Sequence, residues 1–399
     1  MANENLSKAK TAKNDEFYTQ YHDIEKEINA YLEFDENVFE GKTVLLPCDD
    51  PEWSNFTKYF AQNFEKLKLK KLISTSYAPE SKNNKSNYQP TLFETKDPQF
   101  DKKKTIVNGK IFTLTQDNTG DGKIDVNDLE WTYLKGDGDF RSEEIKKLRD
   151  EADIIITNPP FSLFREFLAW IVEAEKEFVL IGNMNAITYK EVFPLIKNDK
   201  MWTGSRFNKR LNGKNMTFSV PDSYNLSGTE VELSAEGKKM ISVAGTGWFT
   251  NLDHGIRHQF LPLMTMADNI KFSKHKDLKG KEYQKYDNYD AIEIPFTDAI
   301  PSDYDGVMGV PISFLPKYNP EQFEIVGITA GRDEFECIPS KRYINAIQYN
   351  PNGTITSGSK ANTRATLKLN EIPNEIYYSA DNAKYPLQIV YARILIKHR

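Results

Sequence analysis

The chain has 399 residues, 39% of them hydrophobic and 28% charged, a globular composition with more length than one ordinary core needs, so two domains are expected. No apolar run reaches membrane-span length, the polar start MANENLSKAKTAKNDEF carries no apolar signal segment, and two cysteines, Cys48 and Cys337, supply neither a disulfide framework nor a four-ligand zinc set; a cytoplasmic location is expected. A net charge of −6 argues mildly against a nucleic-acid partner, yet basic residues cluster locally, with Lys197, Lys200, Arg206, Lys209, Arg210 and Lys214 set against the single acid Asp199.

Residues 1–13 read as a mobile tail. Ile24, Ile28, Tyr31 and Leu32 predict a helix over 20–33. Short apolar runs then appear at Thr43–Leu46, Leu72–Thr75, Thr132–Leu134, Ile154–Thr157 and Phe178–Ile181. Between them lie helical faces, among them Phe56, Tyr59, Phe60, Phe64 and Leu67, and later Phe164, Phe167, Leu168 and Ile171. Strands alternating with helices predict an α/β fold with a mostly parallel sheet and helices on both faces. A polar insertion at 79–130 is too long for an ordinary loop and is expected to carry its own hairpin. After about residue 200 the helical signals fade, and the short β-like runs Met216–Val220, Gly247–Phe249 and Tyr391–Ile396 mark a second region of mixed or mostly β structure. The boundaries expected are a catalytic domain at 14–255 and a C-terminal target-recognition region at 256–399.

Ligands of an open parallel sheet bind beyond the carboxyl ends of its strands. The first run is followed by Pro47-Cys48-Asp49-Asp50-Pro51, the third by Gly136-Asp137-Gly138-Asp139-Phe140, the fourth by Asn158-Pro159-Pro160-Phe161 and the fifth by Gly182-Asn183. Neither G-x-G-x-x-G nor a P-loop lysine is present, so nicotinamide and ATP sites are poorly supported. The fourth turn is the most informative. Two prolines remove two amide donors, so acceptors dominate that corner. The Asn158 side-chain oxygen and the Pro159 carbonyl can accept both hydrogens of an exocyclic amine, and Phe161 can stack on the same base. The plainer alternative is a proline-stiffened turn before a helix capped by Ser162. For Asp49, Asp50, Asp137 and Asp139 the plainer alternative is ordinary turn chemistry.

The segment Asp117–Asp128 resembles a calcium loop, with oxygen ligands at Asp117, Thr119, Asp121, Asp125 and Asp128. Thr119 and Asp128 are imperfect at their positions and no paired loop is visible, so an Asp/Gly-rich hairpin turn is the favoured reading and no metal is expected.

Asn-Pro-Pro-Phe at the end of a buried strand is similar to the catalytic motif of amino-group methyltransferases. The chain resembles the adenine-specific (N6) DNA methyltransferases of the EcoRI modification type most closely. The resemblance extends through DEFYTQY (Asp15–Tyr21), CDDP with SNF (Cys48–Phe56), YLKGDGDFRS (Tyr133–Ser142), TNPPFSLFRE (Thr157–Glu166), IGN with NAITYKE (Ile181–Glu191), GVMGVPISFL (Gly306–Leu315) and YARILIK (Tyr391–Lys397). It implies a Rossmann-like core that binds S-adenosylmethionine. It also implies methyl transfer to the amine of an adenine flipped out of duplex DNA, in restriction–modification or self-protection. In this resemblance Asn158, Pro159, Pro160 and Phe161 are catalytic. Phe17, Tyr18 and Thr19 resemble the N-terminal cofactor motif, and Pro47, Cys48, Asp49 and Asp50 the acidic turn near the methionine moiety. Asp139 and Phe140 resemble the pair at the cofactor's adenine ring. The chain departs from the wider superfamily in its CDDP turn, which is not glycine-rich, and in residues 74–77, which offer no carboxylate for the ribose; Tyr77 or a serine takes that place. Double-stranded DNA is the expected partner, no membrane is involved, and the family suggests a monomer. Arg206, Lys209, Arg210, Asn212, Asn215, Arg257 and His258 are candidate DNA contacts. The readings weighed against this one are a methyltransferase of the same fold acting on RNA or a protein amide, and an inactive nucleic-acid-binding relative.

Overall fold

A computed structural model describes residues 18–47, 49, 54–78, 97–205, 216–220, 231–234, 237–330 and 337–399. The chain divides into two compact units, Met1–Met184 with Met201–Gly255, and Asn185–Lys200 with Ile256–Arg399.

In the first unit the two-residue strand β1 (Tyr18–Thr19) leads into helix α1 (Tyr21–Phe34), which exists because Ile24, Ile28 and Tyr31 fall on one face and are fully buried. Strand β2 (Thr43–Leu46) is buried at every position, as its unbroken apolar run requires. Ser54 caps α2 (Asn55–Gln62) by accepting from the Phe56 amide at 3.1 Å, and the helix buries Phe56, Tyr59 and Phe60. Then come β3 (Lys71–Thr75), α3 (Lys102–Val107), β4 (Lys110–Leu114), β5 (Glu130–Tyr133), α4 (Glu143–Glu151), β6 (Ile154–Thr157), α5 (Phe164–Glu173) and β7 (Glu177–Asn183). The short helix α6 (Phe193–Lys197) groups with the second unit. The first unit resumes with β8 (Trp202–Thr203), β9 (Thr217–Ser219), β10 (Val231–Leu233), β11 (Lys239–Ser242) and β12 (Thr246–Thr250).

The main sheet has the order β5-β4-β3-β2-β6-β7-β12-β8. Its centre is parallel, with β2 between β3 and β6, and β6 beside β7. The outer pairings, β3 with β4, β4 with β5, β7 with β12 and β12 with β8, are antiparallel. The expectation of a mostly parallel sheet therefore holds only at the centre. The insertion does carry a hairpin, β4 with β5 from Lys110↔Tyr133 to Thr113↔Glu130, and it is joined to the main sheet: β4 pairs along β3 from Leu72↔Leu114 to Thr75↔Ile111, extending the sheet edge. Likewise the run around Gly247–Phe249 belongs to the main sheet and not to a second region. A smaller sheet, β1-β9-β11-β10, closes β1 onto β9 through Tyr18↔Ser219 and Thr19↔Phe218. One apolar cluster ties α1, β2, α2, β6, β7 and β12 together through residues such as Ile28, Leu46, Phe60, Ile156, Ile181 and Trp248.

The second unit holds α7 (Met266–Phe272), β13 (Ile292–Glu293), β14 (Met308–Pro311), β15 (Phe323–Ile328) and β16 (Ile347–Tyr349). It continues with β17 (Ile355–Ser357), β18 (Thr366–Lys368), β19 (Tyr377–Ser379), β20 (Leu387–Ile389) and β21 (Arg393–His398). Among the described residues these form two sheets, β13-β14-β21-β15 and β17-β16-β19-β20-β18. Glu293 and Arg393 make a forked buried ion pair in the first of them, with Nη2 to Oε1 at 2.6 Å. No helix among the described residues is long and apolar enough to cross a membrane.

Candidate active site

The chain leaves β2 for β3 on one side and later returns to β6 on the other, so the carboxyl ends of β2 and β6 border the crevice where an open sheet takes its ligand. Thr157 locks these ends together, its hydroxyl donating to the Pro47 carbonyl at 2.9 Å. Asn158 and Phe161 are half-buried there and Pro159 is buried. The Leu163 amide closes onto the Pro160 carbonyl at 2.9 Å, making one short 3-10 turn (Phe161–Leu163) before α5 begins at Phe164 without a side-chain cap. Phe161 packs against the main apolar cluster.

The N-terminal strand is brought to the same corner. The Asn158 amide nitrogen lies 3.4 Å from the Thr19 hydroxyl oxygen, to which it donates. Thr19 is buried, and its carbonyl accepts from the Asn55 side-chain amide at 2.7 Å. Tyr18 and Thr19 thus stand beside the Asn-Pro-Pro turn, although 139 residues separate Thr19 from Asn158.

Asp49 is buried and directed at the protein. Its carboxylate accepts from the Ser54 hydroxyl, from the Thr57 amide at 3.1 Å and from the Thr57 hydroxyl at 2.7 Å, while its own amide donates to the Thr75 carbonyl at 2.7 Å and its carbonyl accepts from the Ser74 hydroxyl. It therefore ties the turn after β2 to the first turn of α2 and to β3, where an anion also complements the helix's positive end.

Beyond β3 and β5 a second cluster forms. The Ala78 amide donates to the Asp137 carbonyl at 2.7 Å, and Gly138, at φ +88°, lies so close over the Ser76 carbonyl that a Cβ there would collide with it. Burial, followed by the charges of Asp137 and Asp139, pushes the Tyr77 phenol up to about 12. Asp139 is gripped by Arg141 in a forked pair (Nε to Oδ1 2.9 Å, Nη2 to Oδ2 2.6 Å), which holds its carboxyl below the usual carboxylate range. Arg141 also reaches Glu166 at 3.5 Å and lies over the Phe140 ring. Phe140 itself is buried edge-on against Phe167 (5.1 Å) and Trp170 (5.7 Å), so its ring faces core side chains of α5.

The corner therefore unites Tyr18, Thr19, Pro47, Asn158, Pro159, Pro160 and Phe161, with Asp49 beneath it and Tyr77 and Asp139 after the neighbouring strands. Arg257 and His258 belong to the second unit. The Arg257 guanidinium donates to Asp199 at 2.9 Å, and His258 lies 3.5 Å from Glu321. Phe17, Cys48, Asp50, Arg206, Lys209, Arg210, Asn212 and Asn215 lie outside the described residues. In the 117–128 hairpin the carboxylates hold backbone amides: Asp117 those of Gly120 and Gly122, Asp121 that of Lys123, Asp125 that of Asn127, and Asp128 those of Asn118, Thr119 and Asp125. Thr119 adds its hydroxyl to Asp117 at 3.3 Å. Among the described residues no group of three His, Cys, Asp or Glu side chains could hold a metal ion. Sequence reasoning missed Asn55, Thr57 and Arg141. The signal for the first two was the helix start at Ser54, where a cap and the residues after it face whatever precedes the helix.

The model of the family described as "Adenine-specific methyltransferase EcoRI" matches residues 5–399. The chain belongs to this family. It is 44% identical to the Type II methyltransferase M.EcoRI of Escherichia coli over 332 residues, covering 83% of this chain and 91% of that one. It is also similar to the Type II methyltransferases M.MgeORF184P of Mycoplasma genitalium (36% identical, 82% of this chain and 86% of that one) and M.MpnI of Mycoplasma pneumoniae (32%, 82% and 86%). No solved structure matches. As a member of the family the protein is an adenine-specific DNA methyltransferase, which sets aside RNA and protein amides as its acceptor.

Proposed function

We propose that the enzyme takes its methyl group from S-adenosylmethionine and transfers it to the exocyclic amine of an adenine extruded from the duplex into the corner at Asn158. The observation that carries this reading is the meeting of Asn158 with Thr19 at the carboxyl end of β6, beside the end of β2. The Asn158 oxygen and the Pro159 carbonyl accept the two amine hydrogens, drawing the nitrogen lone pair out of conjugation, and Phe161 stacks on the base. Alignment supplies most of the rate, and a stacked base cannot reach that geometry, so extrusion accompanies it. The donor set suits a sulfonium nucleoside. The cluster after β3 and β5 presents carboxylates and a phenol, and its cation Arg141 is already committed to Asp139, an arrangement adverse to a phosphate-bearing cofactor. When bound, S-adenosylmethionine supplies an electrophilic methyl group.

In this reading the first unit is a Rossmann-like catalytic core. Phe17, Tyr18 and Thr19 line the cofactor with Pro47, Cys48, Asp50, Tyr77 and Asp139, while Asp49 and Phe140 shape the site from behind. The second unit is the target-recognition region, Arg206, Lys209, Arg210, Asn212 and Asn215 contact the DNA, and the enzyme works as a monomer within restriction–modification or self-protection. The test is incorporation of labelled methyl from S-adenosylmethionine into duplex DNA, read alongside the fluorescence of 2-aminopurine placed at the target adenine. Asn158→Ala should cut transfer by about a hundredfold or more. Transfer at the wild-type rate in that variant, or transfer with no unstacking of the probe, overturns the reading.

A further inference from the structure

We infer that Thr19 and Asn55 are positioning residues of the methyl-transfer step: together they hold the Asn158 side chain in the crevice, with its nitrogen end assigned to the protein and its oxygen end to the substrate amine. The inference rests on the catalytic role proposed above for Asn158.

An asparagine amide has two ends of nearly equal size and opposite function, and only its hydrogen-bond partners decide which end faces where. An amine with two hydrogens to give needs the oxygen. The Asn158 nitrogen donates to the Thr19 hydroxyl at 3.4 Å, within the range over which such contacts tighten when substrate binds. The useful position of that hydroxyl depends in turn on where the backbone of residue 19 sits. Among the described residues strand β1 (Tyr18–Thr19) pairs with β9 through two residues, a short ladder that holds it weakly. Asn55 supplies a further tether. It stands at the first position of α2, and its side chain reaches back 36 residues to the Thr19 carbonyl at 2.7 Å. Because α2 packs Phe56, Tyr59 and Phe60 into the core, the tether ties Thr19 to a rigid element. The route Asn55 to Thr19 to Asn158 thus fixes a catalytic side chain from a helix that touches no reacting atom.

Three variants test this in the full-length enzyme: Thr19→Val, which keeps the shape and removes the hydroxyl, Thr19→Ser, which restores it, and Asn55→Asp, which turns the donor facing the Thr19 carbonyl into an acceptor. Single-turnover methyl transfer is measured at saturating S-adenosylmethionine, on genomic DNA from a host lacking adenine methylation, with cofactor binding measured separately. Thr19→Val and Asn55→Asp should each lower the saturated rate about tenfold or more. Thr19→Ser should recover most of it, and Asn55→Asp should leave cofactor affinity unchanged. A wild-type saturated rate in Thr19→Val overturns the inference, including the case where only its cofactor affinity falls, which makes Thr19 a cofactor contact alone. The near-isosteric Thr19→Val decides the matter if Asn55→Asp perturbs α2. Wild-type activity in Asn158→Ala would instead sink the catalytic reading itself.

Discussion

Replacing Asp49 separates a residue that builds the site from one that binds in it. Its carboxylate accepts three hydrogen bonds from Ser54 and Thr57, and the Thr57 amide and hydroxyl are buried. Asp49→Asn keeps the shape and can leave its oxygen towards Thr57, so it loses mainly the charge assistance of those bonds and the anion at the start of α2, about 2–3 kcal/mol in all. Asp49→Ala also orphans the Thr57 amide and opens a small cavity, for about 3–5 kcal/mol. At roughly 2–4 °C of Tm per kcal/mol for a unit of this size, the alanine variant should melt on the order of 10 °C lower, with the asparagine variant between it and wild type. Thermal denaturation without cofactor is the assay. The same melting temperature in all three proteins, with S-adenosylmethionine binding lost in the variants, would refute the reasoning and make Asp49 a direct ligand contact.

Other consequences follow from the same geometry. A Cβ on Gly182 would sit 2.6 Å from the Phe164 ring and 2.9 Å from that of Phe249, so Gly182→Ala should cost about 1–3 kcal/mol by overpacking. Because Phe164 opens α5 directly behind the Asn-Pro-Pro-Phe turn, methyl transfer should slow as well; an unchanged Tm would show that the pair of rings yields freely. The Asp139 carboxyl titrates low because of Arg141, so the pair stabilises the fold at neutral pH and is lost as pH falls below about 4. Arg141→Ala should therefore melt lower than wild type at pH 7, by at most about 1 kcal/mol given Arg141's exposure, and the two melting curves should converge in acid; a difference that persists at low pH would contradict the pairing. Arg257→Ala should destabilise the protein through the loss of its Asp199 partner and leave the salt dependence of DNA binding unchanged. A slope reduced by about 0.9 in log–log terms would instead make Arg257 a phosphate contact.

The parts of the fold that were legible beforehand are those set by local burial. Thr43–Leu46 and Ile154–Thr157 are apolar without a break because both faces of their strands are covered, and each appears at its expected place. The helix at Tyr21–Phe34 follows from a spacing that any amphipathic helix must show. Strand order was less legible, because it depends on partners far away in sequence. Nothing in Lys110–Leu114 or Thr246–Thr250 states that they pair with Lys71–Thr75 or Glu177–Asn183. The site divides in the same way. Asn158 with two prolines is informative because those residue types constrain donors and acceptors wherever they stand. A turn aspartate is ambiguous until its neighbours are known: Asp49 turns inward to Thr57, and Asp139 is claimed by Arg141 two residues on. Arg257 is a candidate DNA contact by residue type, and its partner Asp199, 58 residues away, is not legible in the sequence.

The pairing of Thr19 with Phe218 also bears on how the protein comes into being. Roughly two hundred residues of chain separate these partners, so a polypeptide emerging from the ribosome amino end first must hold its opening strand unpaired until most of the first unit has been made. The catalytic corner is accordingly completed only once β9 has been made, and a product of synthesis truncated before it would carry Asn158 and Thr19 without the strand that pairs with β1.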